Sequence, residues 1–325
     1  EGAEGIKVTN GKSIIIEELT VQDAKGDAIK TQEVDGITFR NVKTEWTGKP
    51  KKTNGAYGLY PVMCQNVLID GCESVGASDA GIYVGQSENI IVRNSLAHHN
   101  VTGIEIENSR MADVYDNVTH NNTGGILVFD LPNLVKKNGG NVRVFNNEIR
   151  ENNLKNFAPR GNIVAGVPPG TGVLILAASD VEVFDNEIID NRTTGTAVIS
   201  YYMTEEPIDD PEYDPYPKRI FIHDNLYERE PMRATSQTRL GKLYRFKLKF
   251  GKEVPHIVYD GILPEKAFDE EGQVKEEFQL CIRNNTNVSF SHLDAENDFK
   301  NIDQDMSAYD CSHESLNPAK LASER

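Results

Sequence analysis

Apolar residues in this chain fall in short runs that alternate with polar ones. From Gly81 the sequence reads Gly-Ile-Tyr-Val, then Gln-Ser-Glu-Asn, then Ile-Ile-Val-Arg-Asn-Ser-Leu, then His-His-Asn. Ile82 and Val84, and then Ile90 and Val92, alternate with Tyr83, Ile91 and Arg93. That period of two marks strands with one buried face, and the runs are too short for helices. Ile82, Val84, Ile90, Val92 and Leu96 are expected to point inward. The same pattern restarts at Gly103, Gly125, Gly172 and Gly195, with earlier copies at Gly5, Ala28 and Gly58. The uninterrupted spacings 58→81, 81→103, 103→125 and 172→195 are 23, 22, 22 and 23 residues.

A unit of this size cannot bury its own apolar face, so it must stack on its neighbours. Parallel strands stacked about 4.8 Å apart, one turn of chain per unit, give an all-β solenoid, the right-handed parallel β-helix. A leucine-rich horseshoe has a similar period but needs a Leu ladder and a fixed Asn, and neither occurs here. About eight rungs account for residues 1–230. Beyond them the repeat breaks into a basic stretch (236–254), an acidic one (264–278), a strand–turn–strand pattern (278–295) and an extended polar tail from Asp303. An open solenoid end exposes unpaired strand edges, so 231–325 reads as rung remnants and a cap. Length alone suggests two domains; the repeat makes it one solenoid.

Composition sharpens this picture. Asn occurs 29 times, in keeping with a chain that turns often and favours left-handed positions. His99, Asn121, Asn152 and Asn191 are read as one stacked turn column, and His98, His120, Glu151 and Asp190 as another, on the turn beside the sheet that starts each rung. The net charge of 34 − 50 = −16 argues against a nucleic-acid partner, and no apolar run approaches a membrane span. The four Cys, at 64, 72, 281 and 311, have no zinc or haem spacing. Their even count fits an oxidising compartment, with Cys281–Cys311 pinning the tail to the cap; Cys64 and Cys72 are either paired or buried thiols. The sequence starts at Glu1 without an apolar leader, as a processed or a truncated chain would. The expected location is periplasmic or secreted, with a lipid anchor on the precursor as a further option.

Four insertions interrupt the repeat next to one strand. Residues 130–141 and 203–218 follow the Gly-Ile-x-Val strand, and residues 44–57 and 153–171 precede it. Loops on both sides of one sheet make a trough, floored by the outward residues of that strand. These are Tyr60, Tyr83, Glu105 with Glu107, Leu127 with Phe129, Leu174 with Leu176, and Tyr201 with Tyr202. Rings and acids on successive rungs suit a linear glycan. Substrate contacts are therefore assigned to Tyr60, Glu105, Glu107, Phe129, Tyr201 and Tyr202. Asp79, Glu105, Glu107 and Asp130 are candidate ligands for Ca²⁺. His98, His120 or Tyr83 is the candidate base, and Arg160 and Lys136 are candidate partners for a uronate carboxylate.

The runs GIYVGQSENIIVRNSLAHHNVTGIEIENS (81–109) and CIRNNTNVSFSHLDA (281–295) resemble the bacterial parallel β-helix repeat family. That resemblance implies secretory or lipoprotein signals and a periplasmic partner of the diheme c-type cytochrome kind. More distantly the repeats resemble those of polysaccharide lyases and mannuronan C5-epimerases, whose Asp-Pro-His-Asp signature does not occur here. Two functions follow as expectations. One is a lyase or epimerase acting on acidic polysaccharide by proton abstraction next to a uronate carboxylate, with a cation as the missing partner. The other is a non-catalytic extracytoplasmic scaffold that binds a glycan or a cytochrome-type protein.

Overall fold

A computed structural model describes residues 3–322 of the chain. Eight coils of three strands each run from Ile6 to Glu228. Coil 4, for example, comprises Ala80–Gly85, Glu88–Arg93 and Leu96–His98, and coil 5 comprises Thr102–Glu107, Arg110–Tyr115 and Val118–His120. Corresponding strands pair in parallel, giving sheet A (ten strands, the first of each coil), sheet B (nine strands, the second) and sheet C (eight strands, the third). After coil 8 the strands Ile257–Tyr259 and Phe290–His292 extend sheet A, and Leu280–Arg283 extends sheet B.

Register is held by apolar inward residues that stack on one another from coil to coil. In sheet A, Ile82 pairs with Leu59 and Ile104, and Ile104 pairs with Ile126. In sheet B, Ile90 pairs with Val67 and Ala112. These side chains form one continuous core along the axis. A one-residue slip would turn the whole set to solvent. Sheet C corrects one expectation. Its three-residue strands bury the middle residue, so Ala97 is inside and Leu96 is only half-buried.

Two ladders of asparagines, buried except for the half-buried Asn285, lock the turns. Along one, Asn100 Nδ2 donates to Asn122 Oδ1 (3.1 Å), Asn122 to Asn152 (2.9 Å) and Asn152 to Asn191 (3.2 Å). Along the other, Asn117, Asn147, Asn186, Asn225 and Asn285 are linked in the same way. Each Oδ1 also accepts the backbone N–H of the preceding ladder residue, as Asn186 does from Asn147 (3.0 Å). Buried backbone groups at the corners are thereby satisfied. The residue before each ladder position is left-handed: His99, Asn121, Glu151 and Asp190 have φ between 50° and 59°. The expected columns therefore mixed two registers. His98 and His120 stand opposite Arg150 and Ile189, not opposite Glu151 and Asp190, and Asn100 and Asn122 take the ladder places expected of His99 and Asn121. A Cβ on Gly103 would stand 2.6 Å from the carbonyl oxygen of Gly125, which is why glycine recurs one residue into sheet A.

Cys281 and Cys311 form a disulfide, and Cys64 and Cys72 are free and buried. No helix among the described residues is long and apolar enough to cross a membrane.

Candidate functional site

The outer face of sheet A divides into an open part and a closed part. Over coils 6–8 a trough of 660 Å³ opens, floored by Phe129, Leu174, Leu176 and Ile199. Three insertions wall it. Residues 130–139 and 205–217 brace each other, since Lys137 Nζ lies 2.9 Å from both Asp210 and Glu212, and Tyr213 donates to the Asp130 carbonyl at 2.6 Å. The 153–170 insertion is pinned by Asn156 Nδ2, which donates to the carbonyls of Val164 (2.8 Å) and Val167 (2.9 Å). The short helix Arg239–Lys242 contributes Arg239 and Leu240. Around the apolar floor stand Asn133, Asn162, Thr204, Glu206, Asp209 and Arg239. An apolar bed with a polar rim is the usual form of a small-molecule or sugar site.

Two floor assignments are corrected. The outward column runs Tyr83, Glu105, Leu127, Leu174, Ala197, and its neighbour runs Gly85, Glu107, Phe129, Leu176, Ile199. Tyr201 and Tyr202 fall beyond the strand in the turn Tyr201–Thr204. Tyr201 is buried and lines the trough, whereas Tyr202 is 45% exposed and leans on Tyr216. The insertion leaves the sheet at Ser200, so the period of two stops applying there. The 44–57 insertion does not line the trough. Its Trp46 packs with Ala28 and Ala77, and Asn54 donates to Gly76 O.

Over coils 3–5 the same face carries a closed tyrosine–carboxyl cluster. The rings of Tyr57, Tyr60 and Tyr83 lie 4.4–5.0 Å apart by centroid, and Lys30 Nζ sits 4.6 Å over Tyr60. Tyr83 Oη donates to Glu107 Oε1 at 2.6 Å, and Asn162 Nδ2 donates to Asp79 Oδ2 at 2.8 Å. Tyr57 stands beside Asp79, and Glu105 beside Glu107. Glu105 is 1% exposed and its Oε2 has no partner. Burial, together with the neighbouring acids Asp79 and Glu107, holds the Glu105 carboxyl well above the usual range. Burial raises Glu107 too, and pushes Asp79 up to about 7. Asp130 is also pushed up to about 7 by burial, although its Oδ1 accepts from Gly139 N at 3.2 Å. The floor expected to be open here is a set of buried acids whose carboxyls burial holds above the usual range. Tyr57 and Asn162, absent from the sequence assignment, complete it; the Tyr-Gly-Leu-Tyr run at 57–60 is the trace that could have exposed the first.

The other candidates lie apart from this cluster. His98 and His120 belong to sheet C, where their rings stack at 5.1 Å and His98 bonds to His99 (2.8 Å) and Glu73 (3.2 Å). Lys136 is half-buried in a wall, and its backbone N–H donates to Gln86 (3.2 Å). Arg160 is exposed. Asp79, Glu105, Glu107 and Asp130 do not converge as ligands, and among the described residues no group of three or more His, Cys, Asp or Glu is arranged to hold a metal.

Residues 2–138 match the family model described as the right-handed beta helix region. The A-module of the mannuronan C-5 epimerase AlgE4 of Azotobacter vinelandii superposes with a TM-score of 0.53 at 13% identity, over 85% of this chain and 60% of that one. This chain is a right-handed parallel β-helix. The periplasmic alginate epimerase AlgG is a looser match, with a TM-score of 0.42 and 12% identity over 89% of this chain and 75% of that one. Among curated proteins none matches by sequence. The β-helix thus spans less than two thirds of the AlgE4 module's length, and at these identities the likeness extends to the fold.

Proposed function

We propose that this β-helix binds a linear glycan along the sheet A trough, in an extracytoplasmic compartment. The observation that carries this reading is the walled 660 Å³ trough of Phe129, Leu174, Leu176, Ile199 and Tyr201. It runs along the solenoid axis, so successive sugars can lie over successive coils, apolar ring faces down and hydroxyls toward the rim. The Cys281–Cys311 disulfide supports the compartment, and the β-helix epimerases supply a glycan-handling precedent on this fold.

The rim carries Glu206 and Asp209 against the single cation Arg239, in a chain of net charge −16. A polyuronate would meet repulsion there, so a neutral or sparsely charged glycan suits the trough better. Affinity electrophoresis and calorimetry against neutral β-glucans, alginate, pectate and glycosaminoglycans, with and without Ca²⁺, test this. Binding of one class, lost on blocking the trough with Leu174→Arg, is the expected result. No retention of any glycan would overturn it.

A second reading, acid–base chemistry on the bound glycan, is favoured by one observation. Glu105 has an unpartnered buried oxygen, burial beside Asp79 and Glu107 holds its carboxyl well above the usual range, and Asn162 links its cluster to the trough. A carboxyl kept neutral by burial can serve as a general acid. Tyr83 serves this reading poorly as a base, because its hydroxyl is buried and donates to Glu107. Incubation with the same glycans, followed by absorbance in the unsaturated-uronate band and by NMR, should show product that Glu105→Gln abolishes; no product from any substrate removes the enzymatic reading and leaves the binding one standing.

A further inference from the structure

The outer face of sheet B is not bare. Its central outward column runs Leu68, Ile91, Asp113, Arg143, Glu182, Phe221, Cys281, one residue per coil. The disulfide to Cys311 leaves from the last of these. From there the tail runs back down the same column, against the direction in which the coils are added. His313 donates to Gln279 O (3.1 Å) and sets its ring edge-on to Phe221. Leu316 N donates to Glu182 Oε2 (3.0 Å), Ala319 N to Asp113 Oδ2 (3.3 Å) and Ala322 N to Asn66 Oδ1 (2.9 Å). In return, Arg219 and Arg143 donate to the carbonyls of Glu314 (3.4 Å) and Leu316 (3.5 Å). Beside the strap runs a wall of stacked rings, Tyr115, Phe145, Phe184 and His223, at 4.9–5.1 Å.

The spacing of these contacts is regular. The anchoring amides are three residues apart, at 316, 319 and 322, and they reach coils 7, 5 and 3, two coils per step. Three residues of polyproline-II backbone advance about 9.3 Å, and two coils rise about 9.6 Å, so the two repeats stay in step. Burial follows the same period from 313 to 320: His313 and Ala319 are buried and Leu316 half-buried, whereas Glu314, Ser315, Asn317, Pro318 and Lys320 are exposed; beyond it Leu321 is half-buried and Ala322 exposed, so the last anchor is held by its backbone N–H. The tail forms no strand ladder, and Pro318 holds both itself and Asn317 extended.

We propose that the sheet B face is a peptide-binding channel that reads an extended chain in three-residue steps, with the segment His313–Ala322 as its resident ligand. The ligand class is a polyproline-II-like peptide with an apolar or imidazole side chain at every third position. Its backbone N–H groups go to Glu182 and Asp113, which are 3% and 5% exposed under the strap. Recognition is mainly of backbone and period, so a segment of the same pattern from another molecule fits equally once the channel is free.

Hydrogen exchange on the full chain tests the reading frame. The amides of Leu316, Ala319 and Ala322 should exchange at least tenfold more slowly than those of Ser315, Asn317 and Lys320. One Gly inserted after Asn317 should abolish protection at Ala319 and Ala322 and leave Leu316 protected. Uniform exchange along the tail, or an insertion without effect, overturns the proposal. A chain ending at Ser312 should bind a labelled His313–Ala322 peptide saturably, and at least tenfold more weakly after Glu182→Gln, while the full chain binds none. Equal binding by both chains, or none by a shortened chain whose circular dichroism shows it folded, also counts against it. If the shortened chain does not fold, the exchange experiment on the intact protein decides alone.

Discussion

At the residue scale, two kinds of polar group carry the structure, and they respond differently to change. Asn186 donates to Val144 O, Phe184 O and Asn225 Oδ1 and accepts from Asn147, all in a dry corner. Asn186→Ala strands several of these partners, and each orphaned buried group costs about 1–3 kcal/mol. A loss of about 2–4 kcal/mol in urea unfolding is expected. Asp185, one residue earlier at φ 52°, only has to turn left-handed, so Asp185→Gly should change stability by less than about 0.5 kcal/mol. The acids on sheet A predict a pH effect. Their folded-state values are raised, so between the unfolded value and the folded one the native state holds more protons than the unfolded chain. Their stability contribution is therefore full below the ordinary carboxylate range, about 4, and lost as pH rises toward and past 7 for Asp79 and Asp130. Urea midpoints should fall between pH 5 and pH 8, and Glu105→Gln with Asp79→Asn should flatten that decline by about 1–3 kcal/mol. A steeper decline in the variant would refute the assignment.

At the element scale, the insertions decide what the trough accepts. Glu206 and Asp209 are exposed on a wall that Lys137, Asp210 and Tyr213 already brace, so replacing them leaves the wall standing. Glu206→Lys with Asp209→Lys should raise affinity for alginate or pectate about tenfold at low salt, and less at high salt as screening shortens the field; calorimetry at two ionic strengths reads both. The positions of the insertions were legible in the sequence because each interrupts a counted repeat. Their consequences were less so. Tyr201 follows the strand by two residues, and alternation gave no sign that the chain leaves the sheet at Ser200. The register slip between His98 and Glu151 has a similar origin. His-His-Asn and Glu-Asn-Asn align by composition in two ways, and only the buried Asn100–Asn122–Asn152 contacts choose between them. Asp79 is capped by Asn162, 83 residues away in sequence, and no local pattern reports such a contact. The strap on sheet B was hidden differently, because a period of three in His313, Leu316 and Ala319 matches neither strand nor helix.

At the scale of the whole molecule, a solenoid's stability is a sum over coils and the contacts between them, so its ends decide how it opens. The two ends differ. Past coil 8, the strands Ile257–Tyr259 and Leu280–Arg283 continue the stack, and a disulfide closing a span of 30 residues holds the tail to it. By loop-closure entropy such a crosslink is worth about 3–4 kcal/mol, and the strap then ties coils 8 through 3 together along one side. Coil 1 has no such support among the described residues. Its inward residues Ile6, Val8, Ile14 and Val21 are only partly buried, Ile15 is 60% exposed, and the outer edges of its three strands are unpaired. Opening should therefore start at coil 1 and travel toward the cap, giving amide protection that rises from Ile6–Gln22 to coils 4–7. Reducing the disulfide, or making Cys281→Ala with Cys311→Ala, should free the tail and lower the protection of the outward column from Phe221 to Asp113 while leaving coil 1 unchanged. Had the strap been ornamental, the double variant would alter exchange only at the cap itself. Site-resolved exchange on the two proteins separates these outcomes, because coil 1 and the sheet B column lie at different places in the sequence and answer to different bonds.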